Sequence, residues 1–348
     1  MQWAKSSEIS FPSPVGGVPM TSDFGTSIFF SILYFSLIPI FVSRLYNKHS
    51  RAVVSINAII TTIERVIIFS LRAWQSRNPA ERISPALTTY MQVSIALPYI
   101  SIAHDVVTLL RCMYVNSTKG PADFTDPQDS PVAPSMSSSM HPLSPFHSAS
   151  LHLSDDIHHH DDPKKRFFYR WFTDVLNLTF LAATIPGIIG NAHYRGGMDN
   201  ASTANEVMIT RYISSSIALF LILFVAVLVV RARKLPKVEP IHVRLLLVIL
   251  ACNASSAIFR LFFMYHRTTS LTSTASGSGN TSSEKATFYI FHMLSDWLAV
   301  ALLLVPNIRA IYKTGMWGDW RAIDPVPREQ EWARKRKEAK ARRSELIA

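Results

Sequence analysis

The chain of 348 residues is 48% hydrophobic and only 17% charged, where an ordinary soluble domain carries about 25% charged residues. That balance excludes a soluble globular protein and points to the membrane class. The formal charge of +11 is gathered in short segments between apolar runs and in the tail, the pattern by which a membrane protein records its orientation, so nucleic acid is not an expected partner. Cys112 and Cys252 fall at or within apolar runs, which implies packing and no disulfide framework.

Residues 1–25 lack the charged start and apolar core of a cleavable signal and read as a short extracellular or lumenal segment. Seven apolar segments follow, near 26–46, 52–73, 86–110, 167–190, 207–231, 243–265 and 287–311. Each has about the 20 residues that an α-helix needs to cross a hydrocarbon core roughly 30 Å thick. The expected fold is therefore an all-α integral membrane protein of seven transmembrane helices over 26–312. Trp74 near the end of the second segment and Phe167, Phe168, Tyr169 and Trp171 at the start of the fourth are aromatic residues of the interfacial kind.

Lys and Arg in alternate loops set the orientation. Arg44, Lys48 and Arg51, then Lys164, Lys165 and Arg166, then Arg231, Arg233, Lys234, Lys237 and Arg244, and finally the tail all fall on one side. Arg72, Arg77 and Arg82 on the other side weaken the asymmetry. The amino terminus is expected outside or in a lumen and the carboxyl terminus in the cytoplasm. The Asn200 and Asn280 sequons, candidates for N-glycosylation, fall in loops on the outer side.

Residues 113–166 are rich in Ser, Pro and His and have almost no apolar periodicity, so they read as a disordered cytoplasmic loop. Ser130-Pro131 and Ser144-Pro145 are phosphorylation candidates. His158, His159 and His160 sit among aspartates but without fixed geometry, and no metal or cofactor is expected. The tail, 313–348, carries Trp332 and a run of cations from Arg334 to Arg343 suited to an anionic leaflet, each cation contributing about 1 kcal/mol near such a surface.

Eight ionisable residues away from the segment ends are placed in the membrane interior, and such residues normally face a bundle interior or a wet cavity. At about 1.5 Å per residue, Glu64 and Arg65 lie near the midplane. His104, Asp105 and Asp174 lie toward the cytoplasm, where they are expected to meet as a proton-holding or cation-binding cluster. Arg260 and His292 lie toward the outside, and Asp296 lies between them and the midplane; an Arg260–Asp296 pair is the expected packing contact. These eight are the candidates for a substrate or proton pathway, and no catalytic residue is expected. A metal-dependent intramembrane hydrolase would use His104, Asp105, His292 and Asp296 as ligands, but the two aspartates are about 13 Å apart in depth, far beyond a common ion. A seven-helix receptor-like signalling protein, with a G protein as partner, remains the alternative, although the cysteine pair usual in such receptors is missing. The sequence leaves self-association open.

In the third segment Pro98, Ala103 and Arg111, in the fourth Phe172-Thr173-Asp174-Val175, and in the second Glu64 followed by Arg72 resemble the fungal lipid-translocating exporter and 7-aminocholesterol-resistance family. The resemblance covers segments two to four. Val106 in place of an aromatic residue, the missing acid after Arg260, the displaced aspartate of segment seven and the long third loop depart from its pattern. It implies seven helices and a stress-response exporter of lipids or toxicants, with membrane lipids as partners, in the plasma membrane or an endomembrane.

Overall fold

The structure, a computed structural model, describes residues 9–47, 49–119 and 162–319. The described chain is 75% helical. A two-residue strand β1 (Phe11–Pro12) leads into α1 (Asp23–Phe35) and α2 (Leu37–Tyr46), then α3 (Ile56–Arg77), a single turn α4 (Pro79–Arg82), α5 (Pro85–Ala96) and α6 (Pro98–Ser117). After the third loop come α7 (Pro163–Thr179), α8 (Leu181–Ala192), α9 (Tyr194–Asp199), α10 (Ala201–Ala232) and α11 (Pro240–Phe263). Strand β2 (Arg267–Thr268) pairs antiparallel with β1, and α12 (Ser282–Phe288), a π-helical stretch (Tyr289–Leu294), α13 (Ser295–Leu304) and α14 (Ile308–Tyr312) complete the order.

Prolines account for the breaks. Pro39 cannot bond to the Phe35 carbonyl four residues back, and α1 passes into α2 at Ser36. Pro98 likewise separates α5 from α6 at Leu97 and leaves the Ser94 carbonyl without its helical donor. Starts are equally legible: Asp162 caps α7 by accepting from Lys165 N, Asn200 caps α10 through Ser202 N, and Thr281 and Glu284 form a capping box on α12.

Among the described residues, six helical units are long and apolar enough to cross a membrane: 23–46, 85–117, 163–192, 201–232, 240–263 and 282–304. The chain thus has the architecture of an all-α multi-pass membrane protein. Helix α3 is also long, at 22 residues, but Glu64, Arg65 and Arg72 interrupt its apolar character. Successive units run antiparallel. Ser31 meets Ser70, Asn57 meets Asp105, Arg111 meets Asp174, Gly187 lies against Ser214, Tyr212 bonds to Leu261 and Ser255 to Phe291. The unit 85–117 is central, with Ile102, Ala103, Val106, Val107, Leu109 and Leu110 fully enclosed. Large apolar side chains cover the outside instead, among them Phe29, Ile32, Phe35, Phe220 and Phe262, a surface suited to lipid and not to water.

Several boundaries differ from the sequence expectation. Helices α6 and α7 run to Ser117 and from Pro163, so both ends of the loop expected over 113–166 are helical; 120–161, with the phosphorylation candidates and the histidine tract, lies outside the described residues. The basic part of the tail beyond 319 does also, whereas Thr314 and Asp319 are buried against the bundle. Nor is the amino-terminal segment a free lead-in. Phe11, Val15 and Val18 are buried, Ser13 Oγ donates to Gly277 O at 2.6 Å, and Tyr194 Oη donates to Pro12 O at 2.7 Å.

This segment turns at Gly16 and Gly17, both at positive φ, and a Cβ on Gly17 would stand 2.2 Å from the Gly279 carbonyl oxygen. A Gly17→Ala variant should therefore lose about 1–3 kcal/mol, seen as a lower Tm of the detergent-solubilised protein. Gly25→Ala, where a Cβ meets nothing within 4 Å, should leave Tm unchanged or slightly raised.

Candidate functional site

The interior nearer the amino-terminal segment is polar. Arg65 Nε donates to Asp296 Oδ2 at 2.8 Å, with both side chains fully buried, and Tyr34 Oη donates to the same oxygen at 3.1 Å. Arg65 Nη1 reaches the Ser94 carbonyl at 3.4 Å, the acceptor that Pro98 frees, so a proline in one helix supplies the ligand for a guanidinium in another. The expected Arg260–Asp296 pair is not formed: Asp296 takes Arg65, and the Arg260 guanidinium instead lies 5.9 Å from the centre of the Tyr99 ring. Glu64 is half-buried and has no hydrogen bond or ion pair among the described residues.

Around this triad stand polar groups with few partners. His292 is fully buried, both ring nitrogens lack a hydrogen bond among the described residues, and the rings of Phe288, Phe259 and Tyr99 lie 5.7, 5.8 and 6.5 Å from it. Nε and Nη1 of both Arg211 and Arg260 are unbonded, as are both amide atoms of Asn253. His292 lies in the π-helical stretch, a wider turn that frequently accompanies functional sites. Arg72 is capped by carbonyls, donating to Gly16 O at 3.0 Å and Gly17 O at 3.4 Å, while Gln92 Oε1 accepts from Val15 N at 2.9 Å and from Arg211 Nη2 at 3.3 Å. The amino-terminal segment is thus a lid, with the carbonyls of Gly16 and Gly17 on buried Arg72 and Val15 on Gln92.

At the opposite end the expected cluster separates into independent contacts. Asp105 does not meet Asp174. Its carboxylate accepts from Asn57 Nδ2 at 2.8 Å and from Ala58 N at 3.1 Å, capping the first turn of α3 from a neighbouring helix, where the helix dipole favours a negative charge. Asp174 bonds to Arg111 and is half-exposed. His104 stands edge-on to Phe180, with ring centres 6.4 Å apart. Arg111 and Arg170 both hold Asp319, the latter through 2.6 and 3.0 Å contacts, and this tethers the segment after α14 to the bundle. These contacts read as structural clamps, not as a shared proton site.

Two further sequence expectations change. Asn280 is buried, its Nδ2 donating to Leu271 O and Ser273 O at 2.8 Å each and its Oδ1 accepting from Val18 N; a glycan on that nitrogen would break the lid's anchor. Asn200 is exposed. Arg72 is no loop charge either, being buried at 1% exposure, so its place in the loop count was misleading. Arg211, Gln92 and Tyr34 escaped the sequence reading because each stands singly in an apolar run, near an end where a polar residue is ordinary.

On the lipid-facing side, a groove of about 790 Å³ runs between α10, α11 and the α12 unit, lined by Leu223, Ala251, Ile258, Phe259, Phe262 and Phe291 among others. Phe259 closes its inner wall and touches the His292 ring from the other side.

Removing one partner of a buried pair leaves an uncompensated charge, at a cost of about 3–5 kcal/mol. Asp296→Asn should therefore lower Tm sharply in detergent. The double variant Arg65→Met, Asp296→Leu should recover most of that loss, since it buries no lone charge; an equally unstable double variant would show that the pair is not what the bundle depends on.

No known family model, characterised protein or solved structure matches this chain.

Proposed function

We propose that this protein moves lipids or lipid-like toxicants across a membrane, an exporter-like role in stress response, and that it is not an enzyme. The observation that carries this reading is the juxtaposition across Phe259: an apolar groove on one side, and on the other His292 and Arg260, each with unbonded nitrogens among the described residues. A lipid has the same two parts, and a pocket of about 300–1,000 Å³ is of ligand size. The family resemblance of segments two to four adds to it. Against a receptor of the usual kind, both cysteines are free thiols, and Cys112 lies at the end far from the lid.

The reading includes seven crossings, with α3 as the second. In its support, Ile56, Ile60, Ile63 and Ile67 form an exposed apolar stripe on α3, while Arg65 and Arg72 turn inward. The lid face is taken as outer and the basic face as cytoplasmic, with the cationic tail against the anionic leaflet. In eukaryotic cells, glycosidase-sensitive mass should disappear with Asn200→Gln alone and persist in Asn280→Gln, and protease outside intact cells should spare the tail. Tail cleavage there would invert the topology.

Fluorescent-lipid redistribution, compared in cells with and without the protein, tests the transport. Ala251→Phe places a ring in the groove from an exposed position and should cut redistribution several-fold at unchanged expression. Identical redistribution in protein-bearing and protein-free cells would remove the translocator reading.

A further inference from the structure

Charge in the lid-side interior is unbalanced. Its two buried carboxylates are each taken by a cation, Asp23 by Lys285 and Asp296 by Arg65. That leaves Arg72, Arg211 and Arg260, exposed by 1% each, with no carboxylate among the described residues. Arg72 is answered by carbonyls. Arg211 donates to the Gln92 amide oxygen, a neutral acceptor, and Arg260 rests on the Tyr99 ring. The two guanidiniums are within electrostatic reach of each other, and Arg260 is within reach of His292. Two like charges held together in a low-dielectric interior, each with two unbonded donor atoms, are costly unless an anion joins them.

We propose that Arg211, Arg260 and His292 form a binding site for an anionic headgroup, a phosphate or a carboxylate, carried by a membrane lipid whose chain lies in the groove beyond Phe259. This rests on the lipid-handling reading above and adds the sign of the headgroup charge. Guanidinium N–H groups make charge-assisted hydrogen bonds to phosphate and carboxylate oxygens, and each arginine has unbonded Nε and Nη1 donors, on different edges of its guanidinium, to offer. Asn253, with both amide atoms unbonded on the same helix as Arg260, supplies a neutral donor two turns further into the bundle. A cationic lipid would meet the reverse arrangement, since the one carboxylate near His292 is already held by Arg65. The lid closes this interior from the aqueous side, with Val15 on Gln92 and Gly16 on Arg72, so the bilayer-facing groove is the route that suits a lipid.

The test uses the purified full chain in detergent, with three probes: a phosphatidic acid, a phosphatidylcholine of the same chains, and inorganic phosphate. Binding is read by thermal shift and by displacement of a fluorescent phosphatidic acid. The wild type should bind phosphatidic acid about tenfold more tightly than phosphatidylcholine. Arg260→Gln and Arg211→Gln should each erase that preference while keeping the weaker phosphatidylcholine binding, and Arg260→Lys should restore part of it. Ala251→Phe, which leaves the arginines untouched, should weaken both lipids and keep the order. Equal affinity for the two lipids in the wild type, or a preference that survives both glutamine variants, would overturn the proposal. Phosphate-only binding would overturn its lipid part. The cell assay fails separately: no redistribution of any lipid, with the headgroup preference intact in vitro, would refute transport and leave the anion site standing.

Discussion

Inside a bilayer no buried polar group can turn to water, so every one must be answered by the protein or by something the protein binds. That constraint explains most of the contacts in the bundle core. Arg65 is answered by Asp296 and by the one backbone carbonyl that Pro98 sets free. Asp105 is answered by the first turn of α3 and by Asn57. Arg72 is answered by two carbonyls of a loop. Helix breaks and capping groups, which in a soluble protein would be trimmed by solvent, here serve as partners for charges on other helices.

The same constraint divides the interior into two halves of different character. Near the basic face the charges close on one another, Arg111 with Asp174 and Asp319 and Arg170 with Asp319, while Arg166 donates to the Thr118 hydroxyl. Near the lid the cations outnumber the acids and many donors stay unbonded. A fully matched network is a structural fastening. The unmatched one is where a ligand has something to gain.

The helical architecture and the outward apolar faces were legible in the sequence because a span of about 20 apolar residues has few other uses. Depth along the chain also put Arg65 at the midplane, His292 level with Arg260, and Asp296 between the two levels. What depth cannot give is azimuth. Adjacent residues on a helix point about 100° apart, and that angle decides that Asp105 faces α3 while His104 faces Phe180. Partner choice was beyond reach for the same reason, so Arg260 and Arg65 exchanged roles. The lid was invisible for a different reason. Its residues have no periodicity, and its position depends on carbonyls and on glycines at positive φ, which side-chain patterns do not record.

The π-helical stretch between α12 and α13 bears on how much of this chain's kinship a residue count can preserve. A single wide turn takes up one surplus residue locally while the helix on either side keeps its phase. A shorter chain lacking that residue would run as plain α-helix through the region and still offer a carboxylate to the same arginine. A chain of equal length without the wide turn would swing everything beyond it by about 100° and lose the pair. Proteins that share this bundle can therefore differ in length within segment seven and agree in space, or agree in length and differ in which side chain meets Arg65, so likeness among them is better sought in which helix supplies each charge than in the spacing of residues along the chain.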